Sequence, residues 1–183
     1  MAAFFFEGFV IVSADGMLAD EHLVQPAALR NKADYRFFVD GLRRADIVVH
    51  GRNSGDSDPH SISRRRVIVT RSVERLAPHP DIPNAVLWNP AGATFEEACS
   101  VLTVTSGTVA VIGGPDVFAM FAQRYDVFWL SQAERVRIPG GQGGFPGVPR
   151  ITPQAVLASW GLKADAPRML DEANDVSVTP WRR

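Results

Sequence analysis

The stretch VAVIGGPDVFAMF, residues 109 to 121, limits what this chain can fold into more than any other. Val109, Ala110, Val111 and Ile112 form a run too short for a helix and too uniformly apolar for a half-solvated strand. They read as a strand buried on both faces, which belongs in a sheet covered by helices. Beyond Gly113 and Gly114, Pro115 stands where a first helical residue needs no N–H and has its φ preset. Val117, Phe118 and Phe121 then recur at helical spacing. A helix start left bare by glycine is a ready anion site, because its N–H groups and the helix dipole point at whatever docks there. The same two glycines are also compatible with nothing more than a tight turn.

Elsewhere apolar runs alternate with helical patterns. The opening MAAFFFEGFVIV is interrupted by Glu7, has no basic region before it and is far too short to span a bilayer. It reads as the first strand, with Phe9 to Ala14 its clearest part and a long loop over 15–32 behind it. Residues 33–45 read as a helix, with Asp34 near its start and Phe37, Phe38 and Leu42 on one face. Strands follow at 46–51, 66–71, 85–88 and 126–131, with a helix at 94–102 whose Thr94 and Glu97 have capping-box spacing. A glycine-proline loop fills 138–149, and 175–181 is a last strand. This alternation predicts one α/β domain over residues 1–183 with a largely parallel sheet.

Composition removes several function classes. A formal net charge of −1 gives no global field for nucleic acid or an anionic membrane. The one cysteine, Cys99, excludes an internal disulfide framework and fits a reducing cytoplasm. With only four histidines beside it, a metal site is not expected. Arg64, Arg65 and Arg66 read as a solvated lead-in to a strand, since phosphate-backbone binding spreads its cations over a face. His50 reads as a structural histidine, and the scattered Trp88, Trp129, Trp160 and Trp181 as core or interface residues.

In parallel sheets ligands bind beyond the carboxyl ends of the strands. Three of those ends carry polar or glycine-rich turns: HGRNS (50–54), VTRS (69–72) and IGGPD (112–116). Gly51 allows close backbone approach, Arg52 offers a forked cation, and Asn53 and Ser54 add short polar groups. Thr70 and Ser72 flank a second cation, Arg71. A ribose 2′-phosphate carries roughly −1.5 to −2 charges, like other phosphate monoesters, and suits such a pair. The pair therefore points to NADP(H) over NAD(H). No GxGxxG occurs, which disfavours the ordinary dinucleotide-binding fold.

VIVSADGMLA (10–19), ADIVVHGRNS (45–54), RVIVTRS (66–72) and VAVIGGPDVFAMF, in this order, resemble the dihydrofolate reductase-like superfamily, including the reductase domain of riboflavin biosynthesis. The similarity covers roughly residues 6 to 146. It implies a central mixed, mostly parallel sheet flanked by helices, NADPH as hydride donor, and a pterin-like or ribosylamino-pyrimidine-like acceptor. By this resemblance Gly51, Arg52, Asn53 and Ser54 hold cofactor phosphates, and Thr70, Arg71 and Ser72 surround the 2′-phosphate. Ile112, Gly113, Gly114, Asp116, Val117 and Phe118 lie beneath the pyrophosphate and nicotinamide. Asp116 departs from the pattern, since a carboxylate at a helix start competes with phosphate for the same dipole. Ile11 and Leu18 flank the nicotinamide, with Asp15 and Gly16 in a covering loop.

On the acceptor side Asp34 and Phe38 reproduce the family's carboxylate-to-phenylalanine spacing, and Ser131 matches a nearby hydroxyl. A part-buried Asp34 would anchor the acceptor ring or supply a proton. An aspartate in a first helical turn is equally accounted for by the helix dipole alone. The riboflavin-pathway likeness further implies a homodimer. Two alternatives stand beside the reductase: a true dihydrofolate reductase, and an NADP(H)-binding module without catalysis.

Overall fold

The computed structural model describes residues 3–54 and 58–183. Met1, Ala2 and Gly55 to Ser57, the last within the Ser/Asp/Gly-rich turn after the third strand, lie outside the described residues.

The first strand, β1 (Phe4–Ser13), begins earlier than its clearest sequence signal, and two flanking strands, β7 (Gly107–Val111) and β8 (Tyr125–Ala133), pair with it in parallel. Beyond β7 come β3 (Ile47–Gly51), β4 (Arg66–Val69) and β6 (Ala85–Trp88), each parallel to its neighbour. Antiparallel strands close both sides: β5 (Leu76–Pro78) on β6, and β12 (Val176–Arg182) on β8. Along the outer edge of β12 run β10 (Lys163–Ala164) and β11 (Arg168–Asp171), completing a ten-stranded sheet. The result is a mixed, mostly parallel sheet, as the alternation of patterns predicts.

Side chains of the central strands alternate between two cores, as a two-residue period requires. Phe9, Val48 and Ala110 face helix α1 (Lys32–Arg44) together with its Leu42. Phe6, Val49, Val109 and Val111 face the other side. There they meet α2 (Phe95–Val101), α3 (Pro115–Met120) and α4 (Pro153–Ser159) through Phe95, Ala98, Val117, Phe118 and Leu157. Asn31 caps α1 by accepting from the Ala33 and Asp34 N–H groups, and Thr94 and Glu97 form the expected capping box on α2.

The structure departs from the sequence reading in several places. The long loop after β1 contains a strand, β2 (Met17–Ala19), which pairs with β9 (Gln142–Gly143) inside the glycine-proline loop. Helix α4 and the edge strands β5, β10 and β11 were not expected. β4 ends at Val69, so Thr70, Arg71 and Ser72 all lie beyond it. The solvated-arginine reading holds only for Arg65. Arg66 is 5% exposed and donates to the Ser61 carbonyl at 2.8 Å, and Arg64 is ion-paired with Asp58. Both guanidinium groups find hydrogen-bond partners within the fold, which offsets part of the cost of taking them out of water.

Gly41 fixes how closely α1 sits on the sheet. A Cβ there would lie 2.6 Å from two ring carbons of Phe9, which is itself wedged against Phe37 and Phe38. Alanine is the better helix former by about 1 kcal/mol, yet Gly41→Ala should lower stability by roughly 1–3 kcal/mol through overpacking. Chemical denaturation of the two proteins checks this, and a stabilised variant would contradict it.

Candidate active site

Because β1, β7, β3 and β4 are parallel, their carboxyl ends share one edge of the sheet, and a cleft of about 1760 Å³ opens there. Its floor forms where two turns meet. Gly51 N–H donates to the Gly113 carbonyl at 2.7 Å, which brings the turn after β3 against the turn after β7. The Gly113–Gly114 peptide is cis.

The two glycines do different work. Gly113 has φ +112°, which disfavours any side chain, and lies against the Phe118 ring. Gly114 has φ −77°, open to any residue, and a Cβ there would meet only the Ser54 hydroxyl at 3.6 Å. What Gly114 leaves clear is the cleft, which it lines.

One half of the cleft is cationic. Arg52, Asn53 and Ser54 line it after β3, and Thr70, Arg71 and Ser72 after β4. Thr70 is buried and organises its turn, its hydroxyl lying 2.9 Å from that of Ser72 and accepting from the Ser72 N–H at 3.1 Å. Both guanidinium groups are exposed, and among the described residues neither Arg52 nor Arg71 makes an ion pair. Asn89, Pro90 and Ala91, beyond β6, extend this half. They were missed in the sequence, although the Asn-Pro turn after a fourth parallel strand carries the same signal as the other three.

The other half has apolar walls around an acid, with Arg30, Lys32 and Arg36 along its α1 side. Ile11, Leu18, Phe38, Ile112 and Trp129 form its walls. Trp129 sits edge-on to Phe37 at 5.3 Å between centroids, so this one of the four tryptophans serves the cleft as well as the packing. Asp34 lines the same half and is only 8% exposed. Burial pushes its carboxyl up to about 6, against a smaller opposing effect of the hydrogen bond from Ser131. Ser131 is 2% exposed. Asp34 also stands in the first turn of α1, where the helix dipole acts to lower a carboxyl, opposite in sign to burial.

The cleft also gathers Asp116 and Val117, with Asp116 exposed at the rim. Two of the residues singled out by sequence do not line it. Phe118 is buried between Phe128 and Phe145, with centroids 5.2 and 5.7 Å away, and Gly113 lies beneath the surface that Gly114 presents. Both support the floor from behind. His50 is buried, its Nδ1 lying 2.8 Å from the Gly51 carbonyl and its Nε2 3.4 Å from Arg66.

The loop expected to cover the cleft is tied down. Asp15 accepts from the Ser13 hydroxyl at 2.5 Å and from the Ile138 N–H at 3.1 Å. Burial acts to raise its carboxyl, but these hydrogen bonds outweigh it and hold the group below the usual range.

The raised acid has a measurable consequence. A carboxyl at about 6 in the fold and 3.8 when unfolded makes the folded state bind the extra proton, so stability falls as pH rises between those values. The loss is roughly 3 kcal/mol once the group is ionised. Asp34→Asn, which stays neutral, should therefore melt above the native protein at pH 7.5 and lose that advantage below pH ~4. Circular dichroism melts across this range test it, and a pH-independent difference would contradict it.

No family model matches this chain, and no curated protein matches it. Solved structures do. A deaminase/reductase from Thermotoga maritima, described as a diaminohydroxyphosphoribosylaminopyrimidine deaminase/5-amino-6-(5-phosphoribosylamino)uracil reductase, superposes with a TM-score of 0.65 at 16% identity over 98% of this chain. This chain spans 56% of that one. Dihydrofolate reductase from Enterococcus faecalis, complexed with NADP(H) and RAB-propyl, gives 0.63 at 16% identity, over 98% of this chain and 96% of its own. A protein from Shewanella sp. PV-4 named as a putative riboflavin biosynthesis protein also gives 0.63 at 16%, over 100% and 99%. The sheet order, the helices on its two faces and these superpositions show that the chain has the dihydrofolate reductase-like fold.

Proposed function

We propose that the protein is an NADPH-dependent reductase that passes a hydride to a pterin-like or ribosylamino-pyrimidine-like small molecule. One observation carries the reading: a single cleft joins two exposed arginines at neighbouring strand ends, without ion pairs among the described residues, to a buried carboxyl that burial pushes up to about 6. The neighbours of known structure support it, one being a riboflavin-pathway reductase and another a reductase complexed with NADP(H).

The residues present suit that cofactor. Arg52 and Arg71, exposed and without ion pairs among the described residues, are available for a 2′-phosphate. Gly114 leaves its stretch of floor open to a pyrophosphate. Ile11, Leu18 and Ile112 offer an apolar seat for a nicotinamide ring and exclude water from its reacting face. NADPH, when bound, supplies the hydride.

Asp34 and Ser131 then act on the acceptor. The ring lies against Phe38, while the Asp34 carboxyl holds a polar edge and fixes which atom faces the donor. At pH below about 6 Asp34 is protonated and can hand its proton to the atom next to the reduced carbon. Ser131, buried in the same half of the cleft, acts to lower the carboxyl and so offsets part of the rise that burial causes. A cytoplasmic location fits the single cysteine, and no helix among the described residues is long and apolar enough to cross a membrane. The riboflavin-pathway likeness is the ground for a homodimer.

A charge-assisted hydrogen bond contributes about 1.5–3 kcal/mol, so Arg71→Ala should weaken NADPH binding by roughly 10–100-fold and leave NADH binding nearly unchanged. Fluorescence titration measures both, and an unchanged preference for NADPH would remove the 2′-phosphate assignment. Turnover of dihydrofolate beside a phosphoribosylamino-uracil separates the candidate acceptors. Cofactor binding with turnover of neither would favour the non-catalytic module.

A further inference from the structure

Asp34 and Ser131 come from different parts of the fold, one from the first turn of α1 and the other from β8, and the two elements meet directly through Phe37 and Trp129, one helical turn beyond Asp34. The C-terminal hairpin, β11 and β12, touches both. On one side β12 is paired with β8, with Val178 opposite Ser131 itself. On its other side β12 carries β11, where the register shifts between Met169 and Asp171. Beside that irregularity the Asp171 carboxylate accepts from the Asn31 side-chain amide at 2.8 Å.

Asn31 is the cap of α1. With its amide nitrogen on Asp171, its Oδ1 is turned to accept from the Ala33 N–H at 2.9 Å and the Asp34 N–H at 3.0 Å. The Asp171 carboxylate is itself held by Asn174, whose side-chain amide donates to it at 2.7 Å and whose backbone N–H donates at 3.2 Å. A second contact lies further along α1, where the Arg168 guanidinium covers the Phe37 ring at 5.1 Å. Arg168 and Asp171 therefore grip α1 from the same strand.

We infer that the hairpin is the jig that fixes Asp34 against Ser131, and that Asp171 is its positioning residue. Through Asn31 it ties the backbone N–H of Asp34 to the strand paired with β12, which is paired in turn with Ser131. Asp171 itself does not line the cleft. The inference rests on the acceptor-side role given to Asp34 above.

Three proteins test it: the native chain, Asp171→Ala and Asp171→Asn. Asparagine keeps an oxygen that accepts from Asn31 but carries no charge, so it separates the tether from simple electrostatics. Carbon-detected NMR of the aspartate carboxyls gives the titration of Asp34 in each without requiring a substrate. The native Asp34 should titrate at about 6. In Asp171→Ala the loosened first turn admits water, and the value should drop towards the ordinary 3.8, while Asp171→Asn should keep it raised. NADPH affinity, read on the far half of the cleft, should change by no more than about twofold in either.

A raised Asp34 that is unmoved by Asp171→Ala would overturn the inference alone. Equal drops in both variants would assign the effect to the charge of Asp171 and overturn it too. A native Asp34 that titrates near 4 would instead sink the acceptor-side reading, and the inference with it. Should Asp171→Ala fail to fold, Arg168→Ala loosens the same grip at Phe37, and an unmoved Asp34 there would count equally against the jig.

Discussion

The parallel ladder β8–β1–β7–β3–β4 is the constraint on which everything else hangs. Parallel strands cannot be joined by tight turns, so each connection must cross a face of the sheet, and α1, α2 and α3 are built into those crossings. The same geometry sends every carboxyl-terminal turn to one edge. Gly51 and Gly113 meet there through a backbone hydrogen bond, and the turn bearing Arg71 lies one strand further out. No single turn could form the cleft. The ladder assembles it from four.

The two halves of that cleft differ in kind. Exposed guanidinium groups keep most of their hydration until an anion arrives, so Arg52 and Arg71 stand without an ion pair among the described residues at little cost. Asp34 is in the opposite condition. Largely buried, it destabilises the fold whenever it is ionised, because its surroundings replace the water that would solvate the charge. Its hydrogen bond from Ser131 moderates the burden without removing it.

Much of this was legible in the residues. The uniformly apolar run 109–112, the capping box at Thr94 and Glu97, and the amphipathic helix over 33–45 each encode their element locally, and the three strand ends flagged by glycine and arginine do converge. What was illegible depends on contacts distant in sequence. β2 and β9 are strands only because each pairs with the other, and neither has a pattern long enough to announce itself. β11 is short and has no buried residue, and its hold on Asn31 joins residues 140 positions apart. Helix α4 could have been found, since Thr152 followed by Pro153 is a cap with proline at the first helical position. The burial of Arg64 and Arg66 could not, because their partners Asp58 and Ser61 are loop residues placed by the tertiary fold. Nor does spacing reveal that Phe118 turns into the core while Val117 faces the cleft.

The account stands on the cleft being one cofactor site, and a titration of the native protein with NADPH and NADH, followed through the fluorescence of the reduced nicotinamide, addresses that most directly. The account predicts saturable binding of one NADPH per chain, with NADH bound far more weakly. Binding of neither nucleotide would contradict it, leaving the two arginines as surface charges and the glycines after β7 as turn residues alone.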